Sequence, residues 1–252
     1  MASSYYWAPT RRCVALSSDG AGDFATTMSA VCEGNRISIL GRTHWPHSLG
    51  VFYTAMSQFI GFDRFGEEFK MMGLAAYGRN RYGRVMRDLV RYRPGTGLRL
   101  DLRYFDHHVH GGGHRTEADG TVSLPRLFGD RLSELLGPPA SRRDGITERE
   151  RDIAASAQAR YEEVFLQMVH ELVGRTGIRD IALSGGCALN SLANGRMLTE
   201  GYVDQAFFQP AASDDGTAVG AAMYTLYDTL GIPRNGGVHN ALWGTEWTDA
   251  QI

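Results

Sequence analysis

Five carboxylate and glycine positions fall in two places where small and acidic residues follow an apolar run. Ser184-Gly185-Gly186 closes the run Ile181 to Leu183, and Asp214-Asp215-Gly216 follows the run Val203 to Phe208 after Pro210. A third cluster, Asp19-Gly20-Ala21-Gly22-Asp23, follows Arg12 to Ser17. Glycines at strand ends let backbone approach a phosphate or ribose closely. An aspartate that opens a helix either caps it or faces a cation. In open α/β sheets the ligand crevice lies at the carboxyl ends of the strands, so loops of this composition there are expected to share a site. The plainer alternative is αβ turns, one helix cap and a hairpin turn.

These loops need a scaffold. Arg12 to Ser17, Phe24 to Cys32 and Arg36 to Leu40 read as three antiparallel strands, joined at Asp19 to Asp23 and at Glu33-Gly34-Asn35. Ser48 is placed to cap a helix whose apolar face is Leu49, Phe52, Tyr53, Met56, Phe59 and Ile60. A second helix is expected within Gly66 to Tyr77, with Met71 and Met72 as core fillers. Thr147 and Glu150 form a capping box for the longest helix, Thr147 to Val173, whose apolar stripe includes Ile153, Tyr161, Phe165 and Leu172. Strand, helix, strand and helix then follow, from Ile181 to Leu230. The expected order is βββ–α–(insertion)–α–β–α–β–α, an α/β domain with a five-stranded mixed sheet and helices on both faces. This is the ribonuclease H-like layout of the actin, hexokinase and Hsp70 superfamily.

Residues 79–146 read as an insertion, with a short strand pattern at Leu98 to Phe105 and a helix over Leu124 to Leu136. Within it, His107, His108, His110 and His114 tempt a metal reading. Their spacing matches no standard site, and a mobile loop is the expectation. Met1 to Pro9 shows three adjacent aromatics with no visible partner, so residues 1–11 read as the remnant of a preceding subdomain. Residues 245–252 read as the start of a linker.

The chain of 252 residues has 26 Lys and Arg, 28 Asp and Glu, and 43% hydrophobic residues. That supports a packed core and no nucleic-acid or membrane partner. Cys13, Cys32 and Cys187 are odd in number and widely spaced, as expected of reduced, buried thiols in a cytoplasmic protein.

Five blocks, PHSLGVFYTAMSQFIGF, GEEFKMMGLAAYG, ERDIAASAQARYEEV, LSGGCALNSLANGRM and QPAASDDGTAVGAA, resemble the ATP-dependent O-carbamoyltransferases of antibiotic and nodulation-factor biosynthesis. The resemblance runs from about Ala2 to Gly244. It implies transfer of a carbamoyl group from carbamoyl-adenylate to a hydroxyl of a small natural-product or sugar acceptor. Carbamoyl-adenylate would form from carbamoyl phosphate and ATP in a separate C-terminal domain. The resemblance also implies a divalent metal, iron or magnesium, held by Asp214, with Asp215 as the fallback. Asp19, Gly20, Gly22, Gly185, Gly186 and Asn190 would face the nucleotide. Lys70, Met72 and Gly73 would border the same cleft, and His47 would neighbour the transferred group. The family's two metal histidines are expected just before Ala2, so the chain alone is expected to be inactive. A separate chain carrying the missing halves is a possible partner. With one wall of its cleft missing, Tyr5 to Trp7 and the helix after Pro46 would be unduly exposed. Two further readings stand beside this one, a non-catalytic nucleotide-binding or assembly module and another actin-like phosphotransferase.

Overall fold

A computed structural model describes residues 1–110, 115–141, 143, 145–234, 237 and 244–251. The central sheet has five strands: β1 (Arg12–Ser18), β2 (Ala25–Glu33), β3 (Arg36–His44), and the later pair Asp180–Ser184 and Gln205–Phe208. Between β3 and that pair, the chain forms two small hairpins, β4 (Val90–Arg93) with β5 (Gly97–Leu100), and β6 (Arg115–Thr116) with β7 (Val122–Ser123). The last two sheet strands are therefore β8 and β9, and the sheet order is β3-β2-β1-β8-β9. β1, β2 and β3 pair antiparallel, while β1–β8 and β8–β9 pair parallel, with Leu16 opposite Leu183. The five expected strands are thus present, in a mixed sheet.

Each face of the sheet buries a different set of side chains, as the two-residue repeat of a strand requires. Val14, Leu16, Ile181 and Leu183 meet the larger core, built from α2 (Leu49–Phe59), α3 (Glu68–Ala75) and the 29-residue helix Glu148–Thr176. That long helix, α7, follows α4 (Gly83–Leu89), α5 (His107–His110) and α6 (Leu132–Leu136). It starts at the expected capping box, in which Thr147 accepts from the Arg149 N–H and Glu150 accepts from the Thr147 N–H. It ends at Gly177, whose φ of 67° gives the left-handed cap that glycine adopts without steric cost. Ser48 caps α2 by accepting from the Val51 N–H.

The other face is lined by the small residues Cys13, Ala15, Ala30, Cys32 and Ala182. It receives α1 (Ala2–Trp7) and α9 (Thr217–Tyr224), while α8 (Ser191–Thr199) packs on α7. Here the expected exposure of Tyr5 to Trp7 fails. Tyr5 and Tyr6 are fully buried and Trp7 nearly so. Tyr5 donates to the Gly34 carbonyl and Tyr6 to the Asn35 carbonyl, both on the β2–β3 turn. Alanines and cysteines spaced along three strands leave room for large rings, a fit that the N-terminal segment alone does not display. The α2 face is equally well covered, with Leu49, Phe52, Met56 and Phe59 all buried. The expected exposure of both segments is therefore overturned.

Residues 79–146 contribute Met86, Leu89, Leu98, Phe105 and Leu132 to the same core as α7. The expected helix over Leu124 to Leu136 is only its last turn, Leu132–Leu136. The expected strand to Phe105 stops at Leu100. The His107 to His110 segment is a helical turn, and His107 is buried against the Pro46 carbonyl at 2.8 Å from Nε2. A mobile loop is thus not what those three histidines form. His114 lies outside the described residues. All three cysteines are buried and free. Among the described residues no helix is long and apolar enough to cross a membrane.

Candidate active site

The carboxyl ends of β1 and β8 are held together by a glycine that a side chain would displace. Gly185 has φ of 86°, and a Cβ on it would lie 2.1 Å from the Ser18 carbonyl oxygen. Its N–H donates to the Ala212 carbonyl at 2.6 Å, which draws in the loop after β9. The next N–H, of Gly186, donates to Asp19 Oδ2 at 2.8 Å, while the Gly20 N–H donates to Asp19 Oδ1 at 2.7 Å. Gly216 has no space for a Cβ either, because the Ala211 oxygen would stand 2.1 Å away. Three loops distant in sequence are therefore packed backbone to backbone. Gly50, in the first turn of α2, closes the arrangement from behind. A Cβ there would meet the Gly20 nitrogen at 2.6 Å.

An open cavity of about 610 Å³ lies over these loops, on the sheet face that carries α1. Asp19, Gly22, Gly185 and Asp214 line it, with Ser17, Ser184, Ser213 and Thr217 supplying hydroxyls. Asp214 is exposed. Burial pushes the Asp19 carboxyl above its ordinary range, against its two N–H donors, and the Asp214 charge adds to the rise. Three carboxylates, those of Asp19, Asp23 and Asp214, thus line one volume, at the position where an open α/β sheet binds its ligand. They are hard oxygen donors suited to a small divalent cation.

The expected residues separate into groups. Asp19, Gly22, Gly185 and Asp214 meet at the cavity. Gly20 and Gly186 stand directly behind it. Their N–H groups are already spent on Asp19, and that of Gly185 on Ala212, so what the glycine loop offers is close approach of the backbone. Asp215 is turned to its neighbour, accepting from the Gly216 N–H, and is not part of the lining. Asn190 is displaced from its expected role. It is buried, caps α8 through the Ala193 N–H, and exchanges two hydrogen bonds with Gln158 on α7.

Lys70, Met72 and Gly73 lie on α3 and do not line the cavity. Lys70 pairs with Glu67 at 2.6 Å, and the Met72 sulfur meets Ser191 Oγ at 3.8 Å. Nor does His47 line it. Its Nδ1 accepts from the Leu100 N–H on β5, and burial lowers its pKa, with the nearby Arg99 charge adding to that. His47 thus ties the segment after β3 to the β4–β5 hairpin.

Several cavity residues escaped the sequence reading. Ser17 is next to last in β1, parallel to the strand that ends at Ser184, a position that could have flagged it. Arg42 and His44 come from the end of β3, which extends four residues past its expected limit. Ser3 reaches the cavity from α1, where no sequence signal marks it. Among the described residues no three His, Cys, Asp or Glu side chains stand together as a metal site.

With this geometry in place, similarity to known proteins becomes informative. The family model described as carbamoyltransferase N-terminus matches residues 1–223, and the chain belongs to that family. Nodulation protein NolO of Bradyrhizobium diazoefficiens is 32% identical over 92% of this chain and 38% of its own length. Nodulation protein NolNO of Sinorhizobium fredii is 31% identical over 92% of this chain and 30% of its own. An uncharacterized protein, sll1178, of Synechocystis is 36% identical over 91% of this chain and 35% of its own. The chain spans about a third of the length of these relatives.

Proposed function

We propose that this chain forms part of an ATP-dependent O-carbamoyltransferase and that the Asp19–Asp214 cavity is where the carbamoyl group meets its acceptor. The donor in this reading is carbamoyl-adenylate and the acceptor a hydroxyl of a small molecule. The observation that carries the reading is the convergence of Asp19, Gly185 and Asp214 on one cavity at the strand carboxyl ends. Family membership supports it, and so does the five-stranded mixed sheet, which we read as a ribonuclease H-like unit.

Gly22 and Gly185 let a planar or phosphorylated group lie close to the backbone. Asp214 presents an exposed carboxylate, able to orient an acceptor hydroxyl or to contribute one ligand to a cation. Asp19, held by two N–H groups, fixes the loop geometry and adds negative charge behind Asp214. The described residues do not complete a metal site, so no step is routed through a metal. Lys70, Met72, Gly73, Asn190 and His47 are assigned no contact with the transferred group.

The test is an amide NMR titration of the chain with AMP as the probe. Shifts are expected at Gly22, Gly185 and Asp214. Shifts confined to α3 and the start of α8, or none, would overturn the assignment. In the complete gene product, Asp214→Asn is expected to lower carbamoyl transfer from carbamoyl phosphate and ATP by at least about tenfold, the scale of a lost charged contact.

A further inference from the structure

Arg234 is a buried cation that forms no ion pair among the described residues. Its guanidinium donates to the carbonyls of Tyr6 at 3.2 Å and Thr10 at 2.8 Å, and also to that of Ala8. It lies over the Tyr5 ring, 4.6 Å from the centroid. All of these groups belong to α1 or to its exit. Each of the three guanidinium nitrogens is thus directed at one short helix end, where carbonyls are otherwise unsatisfied. The segment that carries Arg234 is itself fastened. Asn35, on the β2–β3 turn, donates to the carbonyls of Tyr227 and Ile232 and accepts from the Arg234 N–H. Further on, Gly237 lies so close to Pro9 that a Cβ would stand 2.6 Å from the Pro9 Cα.

The opposite end of α1 is a wall of the cavity. Ala2 and Ser3 line it. Ser3 is wedged against the loop that presents Asp214. A Cβ on Gly220 would meet the Ser3 nitrogen at 3.1 Å, and one on Gly216 would meet Ser3 Oγ at 3.5 Å. Gln209 Nε2 donates to the Ser3 carbonyl at 2.7 Å, and Ser4 Oγ donates to Ser184 Oγ at 3.3 Å. A six-residue helix is too short to hold its shape unaided. Here it is held by contacts at both ends.

From this we infer that Arg234 is a positioning residue: it clamps the exit of α1 and so fixes the Ser3 end against the Asp214 loop. The importance of the cavity for catalysis rests on the function proposed above, but the clamp itself does not. The clamp also links the chain beyond residue 231 to the cavity wall. By linkage, a ligand that orders the wall must tighten the clamp in return.

Hydrogen exchange read by mass spectrometry tests this on the intact chain. In Arg234→Met, exchange is expected to rise roughly tenfold or more both at residues 1–8 and at residues 213–220, as the loss of several hydrogen bonds to a charged donor implies. Strands β1 and β8 and helix α7 should stay as protected as in the wild type. Arg234→Lys, with a charge but no planar fork, should fall between. A rise confined to residues 5–10 would reduce Arg234 to a local cap and overturn the inference. A uniform rise across the chain would equally overturn it, as a general loss of stability. If Arg234→Met does not fold, Arg234→Lys and Asn35→Ala are read by the same pattern and the same two refuting outcomes. AMP added to the wild type should slow exchange at residues 1–8. Failure of AMP to bind would count against the proposed function while leaving the clamp result intact.

Discussion

Gly185→Ala is the most demanding test of how the cavity is built. The added methyl would lie 2.1 Å from the Ser18 oxygen, 2.5 Å from its carbonyl carbon and 2.8 Å from its nitrogen. All three are backbone atoms of β1, so no side-chain rotation relieves the overlap. The backbone at Gly185 also sits at φ 86° and ψ 156°, a region that only glycine occupies readily. Such a conformation costs an ordinary residue about 1–3 kcal/mol. Forcing a methyl into packed surroundings costs about 1–3 kcal/mol more. The sum, about 2–6 kcal/mol, is a large part of the roughly 5–15 kcal/mol that holds a domain folded. Urea unfolding should therefore show a loss of at least about 2 kcal/mol, or no cooperative transition. Gly195→Ala is the control, since it lies in α8 with nothing within 4 Å of the new Cβ. It should be neutral or stabilising by up to about 1 kcal/mol. If Gly185→Ala matched wild type within about 0.5 kcal/mol with an unchanged denaturant slope, the close packing of β1 against the β8 loop would be refuted.

Asp19→Asn probes the buried carboxyl through pH. Burial raises the folded pKa, so the folded chain holds the proton better than the unfolded one. That stabilisation is complete below the ordinary aspartate value near ~3.9 and is lost as pH rises through the folded value. Wild type should thus lose stability relative to Asp19→Asn as pH rises through this range, read from urea midpoints. A relative gain would refute the raised pKa. Asn190→Ala should cost about 2–4 kcal/mol, combining a lost helix cap with unpaired groups on Gln158, and should leave AMP titration shifts at Gly185 unchanged in folded protein. Lost AMP binding in that folded variant would return Asn190 to the ligand site. Thr147→Ala should destabilise by about 1 kcal/mol through the capping box, checked by thermal melting against the wild type.

Local chemistry made the main elements of the fold readable. The alternation of β2, the Thr147–Glu150 box, the Ser48 cap and the Gly177 stop each act within a few residues, so they are visible in one stretch of chain. The strand-end loops with Asp19, Gly185 and Asp214 were readable for the same reason, and the motif blocks led to the family. The partners of Asn190 and His47, Gln158 and Leu100, lie 32 and 53 residues away and are not visible in one stretch of chain. Polar side chains at such positions look alike whether they meet a ligand or a distant backbone group.

The amino-acid sequence by itself determined which segments become strands and helices, and which loops carry carboxylates and glycines. Only the tertiary structure decided which of those loops meet. It spent the N–H groups of Gly185 and Gly186 on Ala212 and Asp19, turned Asp214 and not Asp215 to the cavity, and buried Tyr5 and Tyr6 on a bed of small residues. The physical reason is range. Helix propensity, capping and turn chemistry act over one to four residues, whereas close packing and hydrogen-bond satisfaction join whatever the fold brings within a few ångströms.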